Sequence, residues 1–221
     1  MFIVVTGAFG VLGRTVCAEL AARGYKVVAI DYNPAPETKF AAELVFGAVD
    51  LSDASVVESI SCELQERGIA LNGLVNIAGG FVWETFSEGS LVTWHEMWQR
   101  NLVTALNSCK AFLRLLKDNE GSIVNIGAAA ADRAAAGMGA YTASKSALVK
   151  FGESLDVELG PRGLRVNSIL PTIIDTPLNR QDMPTSDFNE WVTPKEVTEM
   201  IVFLLSDKSS GVKGAAIRMG R

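Results

Sequence analysis

Tyr141 and Lys145 stand four residues apart in Y-T-A-S-K, on a stretch with helical periodicity. Residues at i and i+4 lie one above the other on a helix face, so a phenol and an ammonium would point into the same space. An ammonium beside a phenol favours the phenolate and draws the tyrosine down from its ordinary pKa of about 10. Proton transfer is the chemistry such a pair could supply. The same spacing arises by chance on ordinary helices, so its meaning depends on the elements that would position it.

The strongest of these lies about 130 residues earlier, at the start of the chain. Phe2-Ile3-Val4-Val5 is an apolar, β-branched run of the kind that forms a buried parallel strand. It leads into Thr6-Gly7-Ala8-Phe9-Gly10-Val11-Leu12-Gly13, whose glycines permit a tight turn, close backbone approach to a pyrophosphate and close helix-strand contact. The segment Arg14 to Arg23 has helical composition, and its N-terminus would present free N–H groups and a positive dipole end to phosphate. A second strand, Lys26 to Ile30, ends at Asp31, 18 residues past Gly13. That is where a dinucleotide fold places the carboxylate that accepts from the adenosine ribose hydroxyls. Asp31 would repel a 2′-phosphate, so the reading favours NAD(H) over NADP(H).

Bulk composition narrows the alternatives. A chain of 221 residues, 48% hydrophobic and 20% charged, suits one α/β domain. A net charge of −5 without a lysine-arginine cluster argues against a nucleic-acid surface. Cys17, Cys62 and Cys109 have no metal-ligand spacing, and no metal site is expected; scattered along predicted helices, they fit reduced thiols in a cytoplasmic protein. The first strand begins at residue 2, leaving no room for a secretory leader, and no apolar run approaches the roughly 18 residues needed to span a bilayer. A soluble protein with no membrane partner is expected.

Strand-like and helix-like segments alternate along the chain, which predicts an α/β fold: a Rossmann-type doubly wound parallel sheet of about seven strands with helices on both faces. Further strands are expected near Leu44-Phe46, Gly73-Ile77, Gly121-Ile126, Leu164-Leu170 and Ala215-Met219. Helices are expected over Ala54 to Arg67, Leu91 to Lys117, Gly139 to Leu159 and Glu196 to Leu205. The alanine-rich Ala128 to Ala136 lies between a strand and Gly137 and reads as a loop in spite of its helical propensity. Pro171 to Val192, with little periodicity, reads as a long functional loop over a substrate.

With these residues in view, the whole chain resembles the short-chain dehydrogenases/reductases. The likeness rests on T-G-A-F-G-V-L-G at the cofactor turn, N-I-A-G-G at 76–80, Asn101 at the mid-helix asparagine, and Y-T-A-S-K. P-T-I-I-D-T at 171–176 is a partial match to the family's P-G-x-x-x-T. The resemblance implies a nicotinamide cofactor held by Gly7, Phe9, Gly10, Val11, Leu12, Gly13, Asp31, Asp50, Leu51, Asn76, Ala78, Gly79, Pro171, Ile173 and Thr176. Asp50 would reach the adenine ring and Thr176 the nicotinamide carboxamide. It implies a catalytic core in which Tyr141 is the general acid/base, Lys145 bonds the nicotinamide ribose, and Asn101 holds a water for proton supply. It further implies a homodimer or homotetramer, here read from the apolar helix faces of Leu102, Ala105 and Leu106 and of Leu148, Phe151 and Leu155.

Two positions depart from the family pattern. Val11 occupies a position that most single-domain members give to a small residue. The catalytic serine, normally 13 residues before the tyrosine, is replaced by Ala128. A site without that hydroxyl suits a conjugated imine or quinonoid acceptor, which needs less help at one oxygen than a ketone does. The stretch 170–191 also looks like that of dihydropteridine reductase, a family member without the serine. Trp83 and Trp191 are the rings best placed in sequence to stack on a flat small-molecule substrate. His95, the only histidine, is read as a surface residue.

Overall fold

In a computed structural model that describes residues 1–221, seven parallel strands form one sheet in the order β3-β2-β1-β4-β5-β6-β7. The strands are β1 (Phe2–Thr6), β2 (Lys26–Ile30), β3 (Leu44–Phe46), β4 (Leu71–Asn76), β5 (Ser122–Ile126), β6 (Arg165–Pro171) and β7 (Ala216–Met219). The four central strands are almost wholly buried because helices cover both sheet faces, which is why they show no alternation of buried and exposed positions. On one face α1 (Val11–Ala22) and α7 (Pro194–Leu205) bury Val16, Leu20, Val197 and Ile201 against Ile3, Val5 and Val124. On the other, α2 (Ala54–Glu66), α4 (Thr104–Phe112) and α5 (Gly139–Leu159) bury Val57, Leu64, Phe112 and Leu155 against Val4, Leu74 and Ile123. The expected doubly wound parallel sheet is therefore the observed one.

Strand order reverses between β1 and β4, so a crevice opens at their carboxyl ends. Thr6 pairs with Asn76 there, and the Thr6 hydroxyl accepts from the Ile77 and Ala78 amides at 3.2 and 3.3 Å. The glycine turn and the end of β4 are thus stitched together.

Three expectations need correction. The helix expected over Leu91–Lys117 is interrupted: α3 (Leu91–Trp98) gives way to a π-helical turn, Gln99–Val103, before α4, and a 3₁₀ turn ends it at Leu115. Pro171–Val192 is not a structureless loop. It holds a short helix, α6 (Pro177–Asp182), capped by Thr176, and a 3₁₀ turn at Phe188–Glu190, and Ile174 bridges Val192 where the segment folds back. The apolar faces read as an oligomer contact are largely satisfied within one chain: Leu102, Ala105 and Leu148 are buried in one cluster against Leu106 and Phe151, and Leu155 faces the sheet.

Candidate active site

Two glycines of the first turn, Gly7 and Gly13, are demanded by their surroundings. Gly7 has φ +65°, and a Cβ there would lie 2.8 Å from the Ala78 amide nitrogen. A Cβ on Gly13 would lie 2.1 Å from the Gly7 carbonyl oxygen, so helix α1 can approach β1 only without one. No side chain caps the first turn of α1, leaving its amides directed at the crevice. Asp31 is buried at the end of β2, with one carboxylate oxygen accepting from the Phe9 amide at 2.8 Å and the other from the Asn33 amide and side chain, both at 2.9 Å. Arg14 donates to the Phe9 carbonyl at 2.8 Å, so the Phe9 peptide is gripped from both sides. A narrow glycine cradle, free helix amides and a carboxylate at the neighbouring strand end fit a dinucleotide: pyrophosphate at the turn, ribose hydroxyls at Asp31.

The other residues expected at the cofactor differ in exposure. Val11 is 44% exposed beside the turn, Gly79 is exposed, and Asp50 is exposed while accepting from the Ser52 amide and hydroxyl. Ala78 and Ile173 are partly buried at strand ends, whereas Leu12, Leu51 and Pro171 are buried. Asn76 turns its side chain into the interior, donating to Asn125 at 2.9 Å and Cys109 at 3.4 Å. It is a tie between β4, β5 and α4, with only its backbone near the crevice. The Thr176 hydroxyl accepts from the Asn179 amide at 3.2 Å to cap α6, and its own proton remains available to an acceptor.

Asn101 is wholly buried within the π-helical turn. The extra residue rotates it toward the end of β4, where it accepts from the Gly80 amide at 2.9 Å and donates to the Gly80 carbonyl and the Ser144 hydroxyl, both at 3.0 Å. Gly79 has to be glycine for the same reason, since a Cβ would stand 2.6 Å from Asn101 Oδ1 and 3.3 Å from Lys145 Nζ. Asn101, Gly79-Gly80 and Lys145 thus meet at one point, to which α5 also brings Tyr141.

Lys145 Nζ donates to the Ile126 carbonyl at 2.8 Å, and burial pushes its pKa down to about 8. Burial pushes the Tyr141 phenol up to about 12, and no bond joins it to Lys145. The expectation that Lys145 lowers the phenol is therefore not met in this state. One N–H of the ammonium is directed at a strand carbonyl rather than at the phenol, and desolvation raises the phenol by disfavouring the phenolate.

Ala128 is buried and extended at the end of β5, where it offers no donor. Trp191 is 4% exposed and packs on Phe188 at 4.7 Å, which removes it from any open surface. Trp83 is 61% exposed, with its indole donating to the Ala136 carbonyl at 3.1 Å. The ring that meets Tyr141 is Phe81, edge-on at 4.9 Å. Phe81 directly follows N-I-A-G-G and Ser144 lies within Y-T-A-S-K, but only their contacts distinguish them. His95 is exposed, as expected.

Comparison with known proteins identifies the family. The short chain dehydrogenase family profile matches residues 1–187. D-threitol dehydrogenase of Mycolicibacterium smegmatis is 31% identical, over 96% of this chain and 88% of its own length. Cyclopentanol dehydrogenase of a Comamonas species is 29% identical, over 97% and 93%. A short-chain dehydrogenase/reductase (glucose/ribitol dehydrogenase) crystal structure from Brucella melitensis superposes with a TM-score of 0.87 at 29% identity, covering 99% of this chain and 94% of the other. The chain belongs to the short-chain dehydrogenase/reductase family and has the oxidoreductase chemistry of that family.

Proposed function

We propose that the protein is a cytoplasmic NAD(H)-dependent oxidoreductase that interconverts a small carbonyl, imine or quinonoid compound and its reduced form, with Tyr141 as general acid/base. The observation that carries this reading is the convergence of Tyr141, Lys145 and Asn101 on the Gly79-Gly80 strand end, beside the glycine cradle. The nicotinamide, when bound, supplies or takes up the hydride. In the reducing direction Tyr141 gives its phenolic proton to the substrate heteroatom, and in the oxidising direction it accepts that proton. A phenol held near 12 is a competent donor at neutral pH and a poor base. Its use as a base requires Lys145 to leave the Ile126 carbonyl and lend its charge. The bonds from Asn101 to Gly80 and Ser144 fix the floor under both groups.

Asp31 supports NAD(H) over NADP(H), because a buried carboxylate repels a 2′-phosphate. Ala128 and the likeness of the 170–191 stretch to dihydropteridine reductase support an acceptor whose oxygen needs little help. The relatives named for threitol and cyclopentanol support a secondary alcohol or ketone in the same role. A homodimer or homotetramer is retained as part of the proposal, supported by exposed Leu91, Val92 and Trp98 on α3.

Replacing Tyr141→Phe is expected to lower NADH oxidation about 10²- to 10⁴-fold while NADH affinity stays within a few-fold. Undiminished turnover would remove Tyr141 from the chemistry. Asp31→Ala is expected to relax discrimination against NADPH and also to weaken NADH binding, because the Phe9 amide loses its acceptor. Direct titration of both cofactors reads the two effects apart.

A further inference from the structure

The polar side chains around Tyr141 are mostly spent on the protein. Asn101 is committed to Gly80 and Ser144, Lys145 to Ile126, and the Ser144 hydroxyl to the Tyr141 carbonyl at 2.7 Å. Ser146 is committed to the Ala131 carbonyl at 2.8 Å, and the Trp83 indole N–H to Ala136. Thr142 carries the one buried hydroxyl on this part of α5 without a partner. At the end of β5 the chain offers Ala128, Ala129 and Ala130, whose side chains are methyl groups.

Two aromatic rings stand on this side of the molecule. Phe81 is 52% exposed while its ring stands edge-on to Tyr141, at 4.9 Å and 88° between planes. Its backbone springs from Gly80, which Asn101 grips at both the amide and the carbonyl, so the ring is mounted on a fixed support. Two residues on, Trp83 lies against Gly137 so closely that a Cβ there would stand 2.2 Å from the indole.

We infer that the substrate presents an apolar, ring-bearing flank to Phe81 next to its reacting carbonyl or carbinol carbon, and that Phe81 is the specificity-determining residue that selects such a compound over a polyhydroxylated one. The inference rests on the proposed hydride-transfer reading of the same site. A flat apolar flank gains contact with the half-exposed ring. A polyol brings several hydroxyls to a wall where, apart from Tyr141 and Lys145 at the reacting end, only the Thr142 hydroxyl is without a partner, and each hydroxyl buried without a bond weakens binding by of order tenfold or more.

Calorimetric titration of the NADH-loaded protein with α-tetralone and with erythrulose tests this. Tetralone is expected to bind at least about tenfold tighter, and Phe81→Ala to remove most of that preference by weakening tetralone alone. Equal or tighter binding of erythrulose, absence of tetralone binding, or an unchanged ratio in the variant would overturn the inference. If Phe81→Ala does not fold, Phe81→Leu, which keeps apolar bulk without the ring, is read by the same ratio. Wild-type protein that binds tetralone but oxidises no NADH with any carbonyl would sink the hydride-transfer reading and leave the preference standing. NADH oxidation with erythrulose in preference to tetralone would do the reverse.

Discussion

The glycine turn after β1 and the aromatic segment after β4 leave neighbouring strands at the same edge of the crevice, yet they are built on opposite principles. The turn works through backbone: Gly7 and Gly13 are selected by approaches of 2.8 and 2.1 Å that admit no side chain, and the Phe9 peptide is held by Asp31 and Arg14. The segment from Phe81 to Trp98 works through side chains, with rings set against Tyr141, Gly137 and Gly139. A cofactor common to many enzymes can be met by amides, which every residue carries. A substrate peculiar to one enzyme has to be met by surfaces that vary from chain to chain.

That contrast can be broken at either end. Gly13→Ala should have the largest effect, because overpacking between two backbones cannot relax through a rotamer: about 3 kcal/mol of stability is expected to be lost, with weakened NADH binding, measured by thermal melting and titration. Retained stability would mean that α1 can move away from β1 and that the turn is softer than its contacts imply. On the substrate side, Ala128→Ser restores a donor at the end of β5 and is expected to raise reduction of a simple ketone about tenfold or more, followed as NADH oxidation. No gain would place the reacting oxygen away from residue 128.

The smallest effect is a pH dependence of stability. Burial lowers the Lys145 pKa from its ordinary 10.5 to about 8. Between these values the unfolded chain binds the extra proton, so the native state gains stability as pH rises from about 8 toward 10.5 and has lost that contribution below 8. Lys145→Met should be without it, so the difference in melting temperature, wild type minus variant, should grow with pH across this window. A flat difference would show that Lys145 keeps its proton in the fold. Tyr141 acts in the opposite sense and higher: with its phenol pushed up to about 12, its contribution is lost as pH rises from about 10 toward that value.

Much of the site could be read in the residues alone, for identifiable reasons. Gly7, Gly10 and Gly13 are visible because a cradle needs the absence of side chains at set intervals. Asp31 is visible because it ends a strand whose apolar run is continuous, and Tyr141 with Lys145 because helical spacing puts them on one face. Burial of β1 follows from its apolar run, whereas the buried Asn76 and Asn125 of β4 and β5 are accommodated only because they bond each other.

Other features depend on partners distant in sequence. The π-helical turn that aims Asn101 at Gly80 is fixed by bonds to Gly80 and Ser144, partners that lie 21 and 43 residues away in the chain. Trp191 and Phe81 are both large apolar residues near the crevice; that one is sealed against Phe188 while the other meets Tyr141 depends on how the 171–192 segment folds back on Val192. The direction of the Tyr141 shift is set in the same way. Spacing along a helix brings an ammonium near a phenol, but the Ile126 carbonyl on a neighbouring strand accepts the ammonium's hydrogen bond, and burial then governs the phenol. Local periodicity and glycine placement belong to the sequence because they are backbone sterics over a few residues. The partner each polar group chooses belongs to the tertiary structure, because it is a competition among groups that only folding brings together.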